Sequence, residues 1–394
     1  MKITWSIPVP GAALDSGRGD LVRATALIAA VREAGHDVMV VHAGARGSAT
    51  TAVSAYRGLV RRVLPDPLAL TLRDVGRAAH SRVHARRVIA AAREQNADLI
   101  IETQVHLTDS GAVAARTCGI PLVLDDCSPV SEEAALGGRI QGLTHRMFAA
   151  QARAANALTV SSPTLQERFV RDGVPQDKIA IVGNGVDLTP YRVASRSAVR
   201  MALGLGPEPV VVFAGSFQPW HQVTLLVEAL ACLTPLPQLL LLGDGPGLAE
   251  VLARADVLGL RPRITSLGAL PPARMPELLT ACDIGVLPGS NDYGQPMKLL
   301  EYAAAGLAIV APDLAPVRAI ILDGNNGVLF RPNDVTALAA ALQCVTTNAA
   351  ARARFGAQAR ARIADTATWL ERGQELAHAS AQVLRRRAGG LGTC

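Results

Sequence analysis

DIGVLPGSNDYGQPMKLLEYAAAGLAIVAP, Asp283 to Pro312, reads as strand, loop, helix and strand. DIGVLP and LAIVAP are apolar runs of the length of a strand buried on both faces. Between them MKLLEYAAAG is helical, with Pro296 expected as its first residue, where its fixed φ fits, and Gly306 as its stop. Two buried strands joined by a helix make a parallel pair. Outward from this unit, PVVVFAGS (209–216), QLLLLGDG (238–245), RITSLG (263–268) and GVLFRP (327–332) bring the strands to six and predict a parallel sheet with helices between.

The same alternation fills the amino-terminal half. KITWSIPV, VMVVHAG, ADLIIET, PLVLDD, ALTVSS and KIAIVGNGVD are strand-like. Helices are expected over Asp20 to Glu33, within Ser54 to Gln95, up to Cys118-Gly119, over Leu143 to Ala155, and from a cap at Ser162. TPYRVASRSAVRMALGLGPEP (189–209) carries Pro and Gly and reads as a linker. The expected organisation is an α/β chain of two Rossmann-like doubly wound domains facing a central cleft, residues 1–190 and 191–368. A final helix, 369–394, is expected to pack back on the first domain. Such folds bind ligands at the carboxyl ends of their strands.

Composition narrows the function classes. The 394 residues are 49% hydrophobic and only 3% aromatic, which suits folded α/β domains and not a disordered chain. No run of about 18 apolar residues occurs and MKITWSIPVPG lacks an apolar leader, so a cytoplasmic protein is expected. Six cysteines lie apart without a CxxC pair, so neither a zinc site nor a disulfide framework is indicated. A net charge of +6 favours anionic partners. From Arg57 to Arg93 nine arginines face Asp66 and Asp74, and Arg73, Arg77, His80, His84 and Arg87 recur at the spacing of one helix face. That face is either a solvated surface or a peripheral contact with an acidic lipid surface, at the inner membrane face.

Chemistry-bearing residues gather after the strands of the second half. Amides at 296–298 would point at an anion from a helix N-terminus, Lys298 would offset its charge, and Glu301 would accept from a ribose diol. Gly215 and Ser216 would approach a phosphate, and His221 would offer a donor. The glycines of LLLLGDGPG (239–247) fit either a nucleotide loop or a tight turn. In the first half Glu102, His106, Asp125 and Asp126 stand at or just beyond strand ends as acceptor-side candidates, each also readable as a cap or loop residue.

The ordered series VGNGVD (182–187), FAGSFQPWH (213–221), LLLLGDGPG, TSLGALPPARMPELLTACDIGVLP (265–288), YGQPMKLLEYAAAG (293–306) and DGNNGVLFRPND (323–334) resembles the carboxyl-terminal half of the retaining family 4 (group 1) glycosyltransferases of the GT-B fold. The FQPWH form is similar to one branch of that family. The amino-terminal half is looser, through SGRGD, AGHDVMVVHAG and GIPLVLDD. The resemblance implies that Glu301 holds the donor ribose. It also implies that Lys298 and the backbone from Pro296 through Met297 to Leu299 lie near diphosphate and sugar, with Tyr293, Gly294 and Gln295 before them. It further implies that the 265–270 loop with Leu267 wraps the base and that Gly17 and Gly19 close onto the donor. Three positions depart from the family. Tyr293 stands where Glu contacts the sugar, Ser216 and His221 stand where an Arg and a Lys clamp the diphosphate, with Gln222 in place of the next Gly, and Cys127 stands where many members have His.

The activity implied is transfer of a hexose-type sugar from a nucleoside diphosphate donor of the UDP, GDP or dTDP type to an acceptor hydroxyl, with retention. The acceptor is a small molecule, a glycan or a lipid-linked molecule. Amides at 215–217 and 296–298 with Lys298 and His221 would stabilise the leaving phosphate. No metal, cofactor or nucleic acid is expected. Rival readings are a nucleotide-sugar 2-epimerase or hydrolase on the same fold, a dinucleotide oxidoreductase, whose fingerprint PVPGAALDSGRG does not supply cleanly, and a non-catalytic nucleotide-sugar binder.

Overall fold

The computed structural model describes residues 1–15, 17–44, 66–125, 128–129, 140–192 and 195–390. They form two compact units. The first runs from Met1 to Gly183 and takes back the chain from Leu370, and the second is Asn184–Trp369. The division falls at Gly183-Asn184, ahead of the expected linker, because NGVD (184–187) is already part of the second unit. The linker itself contains a short helix that its prolines and glycines concealed.

In the first unit the elements are β1 (Lys2–Ile7), α1 (Gly19–Glu33), β2 (Asp37–His42), α2 (Asp66–Glu94), β3 (Leu99–Thr103), α3 (Ser110–Cys118), β4 (Leu122–Asp125), α4 (Gln141–Ala154), β5 (Ala157–Val160), α5 (Pro163–Arg171) and β6 (Ile179–Ile181). The sheet is parallel, in the order β2-β1-β3-β4-β5-β6. Ser162 caps α5, its hydroxyl accepting from the Leu165 amide at 3.1 Å, and Gly119 ends α3 in the left-handed region at φ 67°.

The second unit holds α6 (Arg196–Ala202), β7 (Val210–Ala214), α7 (Val223–Leu230), β8 (Gln238–Leu242), α8 (Leu248–Val257), β9 (Ile264–Ser266), α9 (Met275–Thr280), β10 (Ile284–Val286), α10 (Met297–Ala304), β11 (Ala308–Pro312), α11 (Ala315–Arg318), β12 (Val328–Phe330), α12 (Val335–Thr347) and α13 (Ala349–Thr366). Its sheet is also parallel, in the order β12-β11-β10-β7-β8-β9. Alternate residues of β7 enter opposite cores: Val210, Val212 and Ala214 pack with α10 residues, Val211 and Phe213 with α7 and α12 residues. This is the doubly wound arrangement expected.

The last helix, α14 (Trp369–Gly390), belongs to the first unit. A Cβ on Gly373 would stand 2.5 Å from that of Ala30, so this glycine lets α14 lie directly on α1. Arg386 reaches Asp177 at 3.1 Å and Arg387 donates to the carbonyl of Gly119. Among the described residues no helix is long and apolar enough to cross a membrane.

One expectation is reversed on α2. Its Arg73, Arg77, His80, His84 and Arg87 form a flank and not one solvated face: His84 is buried, Arg73, Arg77 and His80 are partly buried, and Arg87 is exposed, beside the buried Asp74, Ser81, Ala85 and Val88. Arg73 is spent on Asp74 at 2.7 Å, and His84 Nε2 lies 3.1 Å from Ser6 Oγ inside the unit. The stretch of the basic region before Asp66 lies outside the described residues.

Candidate functional site

The order of the second sheet places β7 and β10 side by side although they are first and fourth in sequence, so the chain winds away from them in both directions. Such a switch point opens a crevice at the carboxyl ends of its two strands. Here the opening has a visible cause. β10 pairs with β7 only at Ile284↔Val211 and Gly285↔Val212, whereas β8 follows β7 through to Ala214. Where the β7–β10 ladder stops, the Tyr302 hydroxyl takes over, accepting from the Ala214 amide at 2.9 Å and donating to the Val286 carbonyl at 3.4 Å. The ring is fully buried and lies where a Cβ on Gly285 would come within 2.5 Å of it. Gly285 and Tyr302 together therefore wedge the strands apart.

Beyond Ala214 the chain turns at Gly215 and Ser216. The Gly215 amide donates to the Leu242 carbonyl at 2.9 Å, so it is part of the sheet and not a free donor. The amides of Ser216 and Phe217 have no hydrogen-bond partner among the described residues, and the Ser216 side chain is exposed. A Cβ at Gly215 would sit 3.0 Å from Lys298 Nζ, so the missing side chain is what lets the lysine in. The glycines of LLLLGDGPG have a packing reason. Cβ atoms on Gly243 and Gly245 would fall 2.0 Å from the Gly215 carbonyl oxygen and 1.7 Å from that of Ser216. This loop supports the 215–217 turn from behind.

Across the crevice, Pro296 is the N-cap of α10 and Met297 its first helical residue, one position later than expected. Proline has no N–H, so the donors at this end are the amides of Met297 and Lys298, while that of Leu299 turns back to the Pro296 carbonyl at 3.2 Å. The approach to the helix is fixed by side chains. Asn291 accepts from the Gly294 amide at 2.8 Å, and Gln295 is clamped to Asn184, which donates its amide at 2.5 Å to the Gln295 side chain and its Nδ2 at 2.9 Å to the Gln295 carbonyl. The Gln295 oxygen is thus committed to the loop VGNGVD. Tyr293, partly exposed, precedes this clamp.

Lys298 and His221 meet, Nζ to Nε2, at 2.9 Å. The ammonium also lies 5.0 Å from the centre of the Phe213 ring, which carries His221 edge-on at 5.6 Å. Burial, opposed by the Glu301 carboxylate, pushes Lys298 down to about 7. Burial, opposed in turn by Lys298, pushes Glu301 up to about 7. Burial and then the lysine charge hold His221 down at about 3, so its ring is neutral. The Gln218 amide donates to its Nδ1 at 3.3 Å, which leaves the ring proton on Nε2 when the lysine is an uncharged amine. A charged lysine would need Nε2 as its acceptor and move the proton to Nδ1, at the expense of the bond from the Gln218 amide. The charge of Lys298 and the tautomer of His221 are therefore coupled. The Glu301 carboxylate has no hydrogen-bond partner among the described residues, and its charge adds to burial in raising the phenol of the buried Tyr191.

His221 is followed by Gln222 in the left-handed region, φ 49° and ψ 42°. Glycine takes that conformation freely, which explains the residue usual there. Gln222 is held in it by a hydrogen bond from its Nε2 to Asn333 Oδ1 at 2.5 Å. At the far side of the sheet Leu267, just past β9, donates its amide to the Leu241 carbonyl at 3.0 Å, and its side chain packs against the core.

The first-unit candidates have different surroundings. Glu102 is fully buried, accepting from Ser6 at 2.7 Å, Ser110 at 2.5 Å and Gln151 at 3.3 Å, with burial pushing it up to about 7. Asp125 is buried in an ion pair with Arg23 at 3.1 Å and accepts from Thr159 at 2.6 Å, while Arg23 donates to the carbonyls of Val182 and Gly183. Neither presents a carboxylate to solvent; they tie strands to α1 and α3. His106 is nearly buried, bonded through Nδ1 to Gln104 at 3.2 Å and lowered to about 4 by burial, with Nε2 unpartnered. Gly17 and Gly19 lie just before and at the start of α1, Gly17 in the left-handed region at φ 73°. Asp126 and Cys127 lie outside the described residues. Among the described residues no group of three or more His, Cys, Asp and Glu is arranged to hold a metal.

Comparison with known proteins accounts for most of the chain. Residues 21–190 match the profile described as Glycosyltransferase Family 4, and residues 208–348 match that described as Glycosyl transferases group 1. The chain belongs to the family 4, group 1 glycosyltransferases. This glycosyltransferase is 32% identical over 204 residues to a D-inositol 3-phosphate glycosyltransferase of Nocardia farcinica, covering 49% of this chain and 45% of that one. It is 29% identical over 306 residues to the protein of that name in Xylanimonas cellulosilytica, covering 73% of each. It spans about half the length of most of the curated relatives it matches. Its fold is similar to that of Anabaena HepE, solved in complex with UDP-glucose, with a TM-score of 0.75, 21% identity and coverage of 97% and 100% of the two chains. The two six-stranded parallel sheets are those of the GT-B glycosyltransferases.

Residues that sequence reasoning missed are Tyr302, Phe213 and Tyr191. Gly285 inside a buried strand was the available signal for the first, since a strand glycine marks the close approach of something else.

Proposed function

We propose that the glycosyltransferase takes a hexose-type sugar from a nucleoside diphosphate and passes it to an acceptor hydroxyl with retention of anomeric configuration. The observation that carries this reading is the Lys298–His221 contact at a switch-point crevice. The crevice is flanked by unbonded amides at 216–217 and 297–298, and Glu301 lies one turn beyond Met297. Amides left without partners beside a lysine suit a diphosphate, and a carboxylate suits a ribose diol. The amides and Lys298 then stabilise charge growing on the leaving phosphate oxygens as the sugar acquires oxocarbenium character. The departing phosphate takes the acceptor proton, so no protein carboxylate has to act as a nucleophile.

The UDP-glucose complex of HepE favours UDP over other nucleotides, and Tyr293 in place of a carboxylate offers the sugar a ring face and one hydroxyl. The relatives named for D-inositol 3-phosphate make a polyol phosphate a reasonable first acceptor to try. The same reading places the protein in the cytoplasm, where nucleotide sugars are made. The test is a screen of UDP-, GDP- and dTDP-sugars for protection against thermal unfolding, followed by NMR of the product anomer. A rise in Tm with one nucleotide family and an axial product from an axial donor are expected. No protection by any nucleotide sugar would end this reading, and Glu301→Ala with unchanged affinity would remove the ribose assignment.

A further inference from the structure

The outward face of α2 is a different surface from the basic one expected. Leu68, Leu72, Val75, Ala79, Arg82, Arg86, Ala90 and Arg93 follow one another at steps of four, three, four, three, four, four and three, and all are exposed, as is Val83 beside Arg82. Leu68, Leu72, Val75 and Val83 are 48–56% exposed, although they are large apolar side chains. The face is apolar in its first half and arginine-bearing in its second, and the exposed Glu94 follows Arg93 where the helix ends. Asp74, the acid within the span from Leu68 to Arg93, is on the inner side and paired with Arg73.

We propose that this face of α2 docks the protein on an anionic lipid surface, lying in the plane of the headgroups. A stripe of about 38 Å, from a rise of about 1.5 Å per residue, would set Leu68, Leu72, Val75 and Val83 at the acyl boundary. Arg82, Arg86 and Arg93 have long apolar stems that reach past the stripe to lipid phosphates, and each adds about fivefold to the affinity for an anionic surface. A second copy of the chain fits the face poorly, because two such faces bring together at least three arginines each, Arg82, Arg86 and Arg93, with a single acid, Glu94, at the end of each. The inference does not depend on the proposed reaction, only on the helix.

The test is flotation of the full chain with vesicles of equal parts phosphatidylglycerol and phosphatidylcholine, against vesicles of phosphatidylcholine alone. Binding to the anionic vesicles only, weakened by salt, is expected. R82Q, R86Q and R93Q together should weaken it by roughly a hundredfold, and L72S with V83S should abolish what remains at high salt. Circular dichroism and the UDP-dependent Tm of each variant should stay as in the wild type, which separates failure here from failure of the donor site. Absence of binding to anionic vesicles at low salt, equal binding to neutral ones, or insensitivity to both sets of substitutions would overturn the proposal. So would a wild-type dimer that the L72S–V83S variant converts to monomer.

Discussion

Replacing Lys298 by Met keeps the apolar stem on Phe213 and removes only the amine. A hydrogen bond from a charged donor contributes about 1.5–3 kcal/mol, so UDP should bind roughly 10- to 150-fold more weakly to K298M near neutral pH. The pH dependence is the sharper signature. In the free protein burial holds Lys298 at about 7, so above that value it is mostly an uncharged amine facing His221. A bound diphosphate favours the ammonium and raises its pKa, so binding above neutrality must take up a proton. Wild-type affinity should then fall as pH rises from about 7 toward the lysine pKa of the complex, by up to about tenfold per pH unit. Titration calorimetry of UDP at about pH 8 in two buffers of different ionisation enthalpy measures that uptake directly. In K298M the slope and the buffer dependence should both vanish. A wild-type affinity flat over this range, or an unchanged slope in K298M, would refute the assignment of the proton to Lys298.

Three further outcomes follow from the packing. Y302F removes the hydroxyl that bridges β7 and β10 and leaves the buried Ala214 amide unpaired, so urea unfolding should show a loss of about 1–3 kcal/mol. R23M leaves Asp125 charged and buried and should cost about 3–5 kcal/mol by the same measurement, with R23M/D125L recovering much of it. Q222G exchanges a strained left-handed residue and its bond to Asn333 for a free glycine, so Tm should move little, the two effects being of similar size near 1 kcal/mol each.

The strands were legible because those of a doubly wound sheet are buried on both faces and appear as uninterrupted apolar runs. The helix caps at Ser162 and Gly119 were legible because capping is local chemistry. What the sequence concealed was direction. At a strand end, successive side chains point to opposite faces, so PLVLDD does not show whether Asp125 looks into the core or out of it. Its partner Arg23 lies far away in sequence, on α1. The same holds for α2: the spacing of Arg73, Arg77, His80, His84 and Arg87 identifies a helix face correctly. It does not reveal that Ser6 waits for His84 on the inner side. At the switch-point crevice the glycines were ambiguous, since Gly215 makes room for Lys298 whereas Gly243 and Gly245 make room only for the turn next to it.

The second unit begins and ends in one place: the Val186 amide donates to the Ala367 carbonyl at 2.9 Å, Val186 bridges to Thr368, and Gly185 lies against Trp369. It is an insertion whose two ends emerge together within an otherwise complete first unit. This sets an order of events on the ribosome. The inserted unit is contiguous and has all of its core once Trp369 has emerged, whereas the first unit waits for α14, which is made after it. The unit whose strands precede the insertion is therefore completed after it, and a chain truncated after Trp369 and released would carry all of the second unit and an α1 bare of its partner helix.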